Sequence, residues 1–245
     1  MIEDRLTPHI SARFISDERY RNGHMRIINA LPGRRIMGLH LPECKRVAKE
    51  IAAEADAFSL IEAFEKEHAA DTLGLAYEET LVWGLVINVL KCTADERFEL
   101  LRRYVPVLDN WAVCDSFCCN AKWAAKLPSQ SLWEFLLPYY KSRKEFEVRF
   151  AIVMSMCYLL KEEWLTQIFL QLENINLSDI HSEYTSLASP YYVRMGIAWL
   201  LATALAKYPD ATRIFVNNSS LSDNVKRLYA RKVRESLRTR NVSPF

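Results

Sequence analysis

The chain has 245 residues, half of them hydrophobic, which is enough to bury a large core in one continuous domain. With a formal net charge of +2 and only 6 glycines and 9 prolines, it has little material for flexible linkers or low-complexity tracts. Its first residues, MIEDRLTPHIS, hold no apolar stretch, and the longest apolar run falls within Ile197 to Ala206, about half of the ~20 residues a span needs, so neither a signal peptide nor a membrane anchor is expected.

Almost every segment repeats its apolar residues with helical period, and the stops come at intervals typical of helical hairpins. A first helix holding Tyr20 to Asn29 ends at Pro32-Gly33, and Pro42 opens the next, Glu43 to Glu54. Helices then follow over Leu60 to Glu67, Glu79 to Cys92, Asp95 to Tyr104, Trp111 to Lys126, Ser131 to Tyr140 and Lys144 to Leu160. Further ones cover Trp164 to Leu172, Tyr191 to Lys207, a short piece near Ala211, and Asp223 to Arg238. No window alternates as a half-buried strand does. The expected class is all-α.

FEVRFAI at Phe146 to Ile152 and YYVRMGI at Tyr191 to Ile197 align without gaps at an offset of 45 residues, within the range of HEAT-like repeats. The pattern predicts a HEAT-like or ARM-type helical repeat solenoid over one domain, 1–245. An N-terminal helical cap covers 1–36 and the repeat array 37–245, with a polar loop inserted at about 174–190. The concave face of such a stack is its natural binding surface.

The cysteines, Cys44, Cys92, Cys114, Cys118, Cys119 and Cys157, sit mostly inside apolar helical patterns, as reduced core cysteines do, so a reducing cytoplasm is the expected location. Cys114 and Cys118 share a helix face, but no second pair has zinc-ligand spacing, and no metal is expected. Charge is uneven along the chain. Ile51 to Leu90 carries eight acids against one base, whereas Ser220 to Phe245 carries seven bases against two acids. Lys226, Arg227, Arg231 and Arg234 in that basic stretch suit phosphate contact, and a solvated helical tail would look the same.

Three places could carry chemistry. In LDNWAVCDSFC, Asp109 and Asn110 are both good N-cap residues, which starts a helix at Trp111 and puts Trp111 and Asp115 at i and i+4 on one face. A half-buried Trp with a carboxylate beside it is the plain structural alternative. Arg149 lies within the apolar run EVRFAIVMSM, where a charge is costly unless it is paired, for example with Glu145, or opens onto a groove. Arg194 repeats that placement with Pro190 at i−4, and Trp199 follows in GIAWLLATAL, where a core role is the alternative.

Together, MGLHLPECKRVAKEI from Met37, DNWAVCDSFC, FEVRFAIVM and YYVRMGIAWLL resemble, in order and spacing, the signature segments of the DNA alkylation repair family of alkylpurine DNA glycosylases. The resemblance implies a C-shaped stack of HEAT-like helix pairs with a basic concave face for double-stranded DNA. It also implies hydrolysis of the N-glycosidic bond of cationic purines such as 3-methyladenine and 7-methylguanine; a monomer without cofactor, metal or membrane partner is expected. Trp111 and Trp199 match the aromatic residues that lie against the deoxyribose, Asp115 the catalytic carboxylate, and Arg149 an arginine contacting DNA nearby; Arg194 is placed with it as a DNA contact. A cationic purine leaves without a general acid, so the protein's task is to stabilise an oxocarbenium-like sugar, by a carboxylate and by aromatic faces. The resemblance further implies that the base need not be flipped into a pocket. The family's active members press an N-terminal helix into the minor groove ahead of MGLHLPE. Here HMRIINALPGRRIMG is broken at Pro32-Gly33, as in a branch that lacks that element. A DNA-binding paralogue with little excision, or a protein-interaction scaffold, are the alternative functions.

Overall fold

The computed structural model describes residues 2–185, 187 and 190–245. Among them are fourteen α-helices and no strand, only one isolated parallel bridge between Lys144 and His181. The fold is all-α, built from packed helix pairs as in a helical repeat, and it divides into two compact units, Met1–Trp123 and Ala124–Phe245.

The first unit holds α1 (Ile2–Leu6), α2 (Ala12–Ser16), α3 (Glu18–Ile28), α4 (Leu41–Ala52), α5 (Ala57–Ala70), α6 (Tyr77–Val89), α7 (Ala94–Tyr104) and α8 (Trp111–Asn120). Three of these starts have a clear local cause: Asp17 accepts from Tyr20 N at 2.9 Å to cap α3, Pro42 occupies the first turn of α4, and Thr93 with Glu96 closes a reciprocal cap on α7. Helix α6 is the axis of this unit. Its residues from Tyr77 to Asn88 are all buried, and it packs against α4, α8, α5 and α7. Trp83 stacks on Phe64 of α5 with centroids 5.7 Å apart and meets Tyr104 of α7 edge-on at 5.3 Å.

A helix buried on every side must also satisfy the polar groups it carries. Glu78 does so by accepting from the backbone of Met37, Gly38 and Leu39 at 2.8, 2.6 and 3.2 Å, which ties the chain ahead of α4 onto α6. Burial pushes its carboxyl pKa up, and the three N–H donors oppose that rise. Glu79 accepts from Ala76 N at 2.8 Å and from Arg35 at 3.3 Å. Arg97 of α7 turns inward and caps the end of α6 through the carbonyls of Ile87 and Leu90.

The second unit holds α9 (Ser129–Tyr140), α10 (Glu145–Tyr158), α11 (Leu165–Asn174), α12 (Tyr191–Lys207), α13 (Pro209–Asn218) and α14 (Asp223–Glu235). Helix α10 packs between α9 and α12, and α12 packs on α13 and α14. Both units therefore place every second helix against the next of its row: α4, α6 and α8 in one, α10, α12 and α14 in the other.

Several boundaries differ from the sequence pattern. The helix begun at Trp111 stops at Asn120 rather than Lys126, because the chain leaves helical geometry at Ala121 and Trp123 turns back to donate to Asn88 at 2.8 Å. The last helix stops at Glu235, not Arg238. Beyond it Thr239 is fully buried and bonds the Val233 carbonyl, while Tyr229 donates to the Pro244 carbonyl at 2.8 Å. The piece near Ala211 is a full helix, and α1 and α2 have no counterpart in the expected pattern. In the polar stretch 174–190 a short 3-10 turn covers Leu177–Asp179; Ser186, Ala188 and Ser189 lie outside the described residues.

Gly84 marks a very close approach within the first unit, since a Cβ there would fall 2.2 Å from the Tyr104 hydroxyl. Tyr104 is wholly buried between Trp83 and Phe117 and cannot give way. Gly84→Ala should therefore lower stability by about 1–3 kcal/mol in urea unfolding. Gly23 on α3 meets nothing within 4 Å, so Gly23→Ala should instead raise stability, by up to about 1 kcal/mol. Equal effects of one sign would contradict this packing.

Candidate functional site

The sequence-selected residues all fall on the alternating helix rows. Trp111 and Asp115 are on α8, Arg149 on α10, Arg194 and Trp199 on α12, and Lys226, Arg227, Arg231 and Arg234 on α14.

In the first unit, α8 starts where Asn110 accepts from Ala112 N at 2.8 Å. Asn110, not Asp109, is the cap. Trp111 is then the first helical residue and Asp115 stands one turn on, both half-buried, while Val113, Cys114, Phe117 and Cys118 fill the opposite, buried face. The helix thus divides into a face packed on α6 and a face holding Trp111 and Asp115 that keeps solvent access. Such a face can present a carboxylate and an indole together to one ligand.

What holds that start in place was not apparent from the pattern. Asn110 is 2% exposed and its Nδ2 donates to the Ile28 carbonyl at 2.9 Å and to that of Asn29 at 3.4 Å. Asp109 accepts from Nε of Arg34 at 3.0 Å and also from its Nη2, while Nη1 reaches the Leu75 carbonyl at 2.7 Å. Arg34 is buried, and its position in a stretch read as a helix break gave no signal of that.

In the second unit, Arg149 is buried and donates to the Tyr192 carbonyl at 2.6 Å, its guanidinium 5.8 Å from the Tyr192 ring. Glu145 is buried too; it accepts from Tyr192 N at 2.6 Å and from the Ser182 hydroxyl. Both charged groups therefore fasten the start of α12 to α10. Arg194 and Trp199 are half-buried on α12. Gly196 between them is buried and faces α10, with Ile152 and Arg149 Nη1 3.5 and 3.7 Å from where a Cβ would stand.

On α14, Ser222 supplies the N-cap, and Val225, Tyr229 and Val233 face inward. Arg227, Arg231 and Arg234 are exposed at i, i+4 and i+7, one stripe of the helix. Arg231 and Lys232 both pair with Glu235, and Lys226 donates to the Ser219 carbonyl. The acidic stretch 51–90 presents fewer acids to solvent than its composition suggests, since Glu78 and Glu79 are interior.

All six cysteines are free, with Cys44, Cys114 and Cys118 buried; burial pushes the Cys44 thiol up to about 12. Among the described residues no group of three or more His, Cys, Asp or Glu could hold a metal ion, and no helix is long and apolar enough to cross a membrane.

Compared with known families, the sequence matches the DNA alkylation repair enzyme family over residues 4–239. The chain belongs to that family. No curated protein and no solved structure matches it. Membership gives the row residues a context: a DNA repair role, with DNA as the partner.

Two histidines make the first unit sensitive to pH. Burial holds the pKa of His24 and His68 below the ordinary 6.5, with His40 adding to the effect at His24 and Arg34 at His68. The folded chain then binds fewer protons than the unfolded chain below pH 6.5, so these groups remove stability as pH falls through that value. Burial raises Glu65, Glu78 and Glu79, which acts in the opposite sense. The contrast between variants isolates the histidine part: His68→Gln should lose less stability than the wild type between about pH 7.5 and 5.5 in matched urea titrations. Parallel curves would count against it.

Proposed function

We propose that the chain binds duplex DNA through its basic α14 stripe and hydrolyses the N-glycosidic bond of cationic alkylpurines, with Asp115 facing the sugar. The observation that carries this reading is the pairing of Trp111 and Asp115 on the accessible face of α8, in a chain of the DNA alkylation repair enzyme family.

The alkylated base leaves with the bonding pair of the C1′–N bond and becomes neutral, so the protein need not protonate it. Positive charge moves to the deoxyribose. The Asp115 carboxylate stabilises that charge and orients the water that adds to C1′, and the water's proton passes to solvent or the carboxylate. Trp111 offers the sugar an aromatic face, worth roughly 0.5–2 kcal/mol toward a cation; Trp199 has the same chemistry to offer from α12. Arg149 and Arg194 belong to the DNA-holding side of this reading, together with Lys226, Arg227, Arg231 and Arg234. Arg149 also bonds the Tyr192 carbonyl, so its replacement would disturb packing as well as binding. The exposed α14 arginines give the cleaner test.

A second reading, a binding protein with little excision, is favoured by one feature. Helix α3 ends at Ile28, with Asn29 left-handed at φ 50°, so no continuous helix covers the segment where the active relatives carry their groove-entering one.

Duplex DNA containing 7-methylguanine, followed by detection of free base, tests the first reading. Asp115→Asn should slow release about 100- to 1,000-fold while leaving duplex affinity within about two-fold, because the carboxylate acts on the transition state. Unchanged release would remove Asp115 from the mechanism. A wild type that binds the duplex and releases nothing would establish the second reading instead.

Binding itself should be set by salt. Affinity should fall steeply between about 50 and 200 mM salt, and Arg227→Ala with Arg234→Ala should flatten the log–log slope by about 0.9 for each phosphate no longer neutralised. A salt-insensitive complex, or none at low salt, would favour a protein-interaction scaffold.

A further inference from the structure

Helix α8 is short, and Trp111 stands at its first position, where helix ends fray most readily. Chemistry at Trp111 and Asp115 needs that turn held still. The surrounding contacts do this in a way an N-cap alone would not. Asn110 uses both ends of its amide: Oδ1 caps Ala112 N, while Nδ2 takes up the Ile28 and Asn29 carbonyls, left without intrahelical partners at the end of α3. One side chain therefore closes the start of α8 and the end of α3. Asp would supply the acceptor without the donor, and Ser or Thr only one short hydroxyl in place of the amide's separate acceptor and two-hydrogen donor.

The adjoining residue is fixed from the other direction. Leu31 to Arg34 forms a turn closed by Arg34 N to the Leu31 carbonyl at 3.0 Å, with Pro32 at its second position and Gly33 at φ 87° at its third, the arrangement of a type II turn. The turn sends Arg34 inward, where its guanidinium bridges Asp109, just ahead of α8, to the Leu75 carbonyl, just ahead of α6. Side chains of both ionic partners are largely withdrawn from water, 3% and 15% exposed. The loop carrying Arg34 is itself pinned, by Tyr77 N to the Arg35 carbonyl at 2.8 Å and by Glu78 to residues 37–39.

We infer that Arg34, Asp109 and Asn110 form a latch that sets the position of Trp111 and Asp115, and that they are positioning residues for the sugar-facing chemistry. The inference rests on the glycosylase reading above. The Pro32-Gly33 break is, on this view, the device that delivers Arg34 to the latch.

Three variants test it: Arg34→Gln; Asp109→Asn, which keeps a neutral acceptor; and Asn110→Asp, which keeps the cap but loses the donor. Each is checked for folding by circular dichroism and thermal melting. Each is then measured for single-turnover release of 7-methylguanine, for affinity to undamaged duplex, and for its preference between duplexes carrying a cationic pyrrolidine or a neutral tetrahydrofuran in place of the deoxyribose. Displacement of a catalytic group by about 1 Å costs on the order of 100-fold. The expected result is a loss of roughly ten-fold or more in both release and cationic preference, with undamaged-duplex affinity within about two-fold. If Arg34→Gln does not fold, the two milder variants decide. Folded variants that keep wild-type release and preference would overturn the latch while leaving the glycosylase reading intact. A wild type showing neither release nor cationic preference would overturn both.

Discussion

A helix without a solvent face has nowhere to leave a charge, and that constraint organises both units. Helices α6 and α10 are buried along nearly their whole length, yet α6 carries Glu78 and Glu79, and α10 carries Glu145 and Arg149. Leaving such groups without partners costs far more than a hydrogen bond returns. Each is met by backbone from a flanking segment: Glu78 by residues 37–39, Glu79 by Ala76 N, Glu145 by Tyr192 N, and Arg149 by the Tyr192 carbonyl. The buried charges therefore act as hooks for loops, and the loops in turn fix where the next helix of each row begins.

This is why the fold class could be read from the sequence and the loops could not. Apolar period reports which faces are buried, so the helices from Glu18 onward, the start of α8 at Trp111 and the limits of α12 at Tyr191 and Lys207 were visible in it. Period says nothing about which backbone a buried carboxylate will find forty residues away. The charges of Glu78 and Glu79 counted only toward an acidic stretch, although they stand immediately ahead of the apolar run TLVWGLVI, much as Arg149 stands within EVRFAIVMSM. Short α1 and α2 left no trace, having too few turns to show a period.

The candidate site divides the same way. The neighbourhood of Trp111 and Asp115 follows from i, i+4 spacing and a capping residue, both local properties. Arg34 stands 75 residues from its partner Asp109, and its turn was legible only as a helix stop. A Pro-Gly pair reads as punctuation in a sequence; the left-handed Gly33 shows that the punctuation also aims a side chain.

That aim bears on how excision and grip can be combined in one chain. A continuous helix across His24 to Arg35 would give the segment a groove-entering element of the kind the active relatives use. It would also erase the type II turn, carry Arg34 away from Asp109 and Leu75, and leave Asp109 without its buried cation. It would further move the Ile28 and Asn29 carbonyls, which become ordinary intrahelical acceptors and release Asn110 Nδ2. The two uses of the segment exclude each other. If these residues are spent on holding α8, the proposed grip on DNA has to come from elsewhere, and the exposed arginine stripe of α14 is where the sequence concentrates basic charge. Such a grip is electrostatic and slides along phosphates, whereas a helix in the minor groove registers the duplex against one nucleotide. Any excision by this chain would then depend less on groove engagement than on the lesion's own positive charge and on how rigidly Trp111 and Asp115 are held.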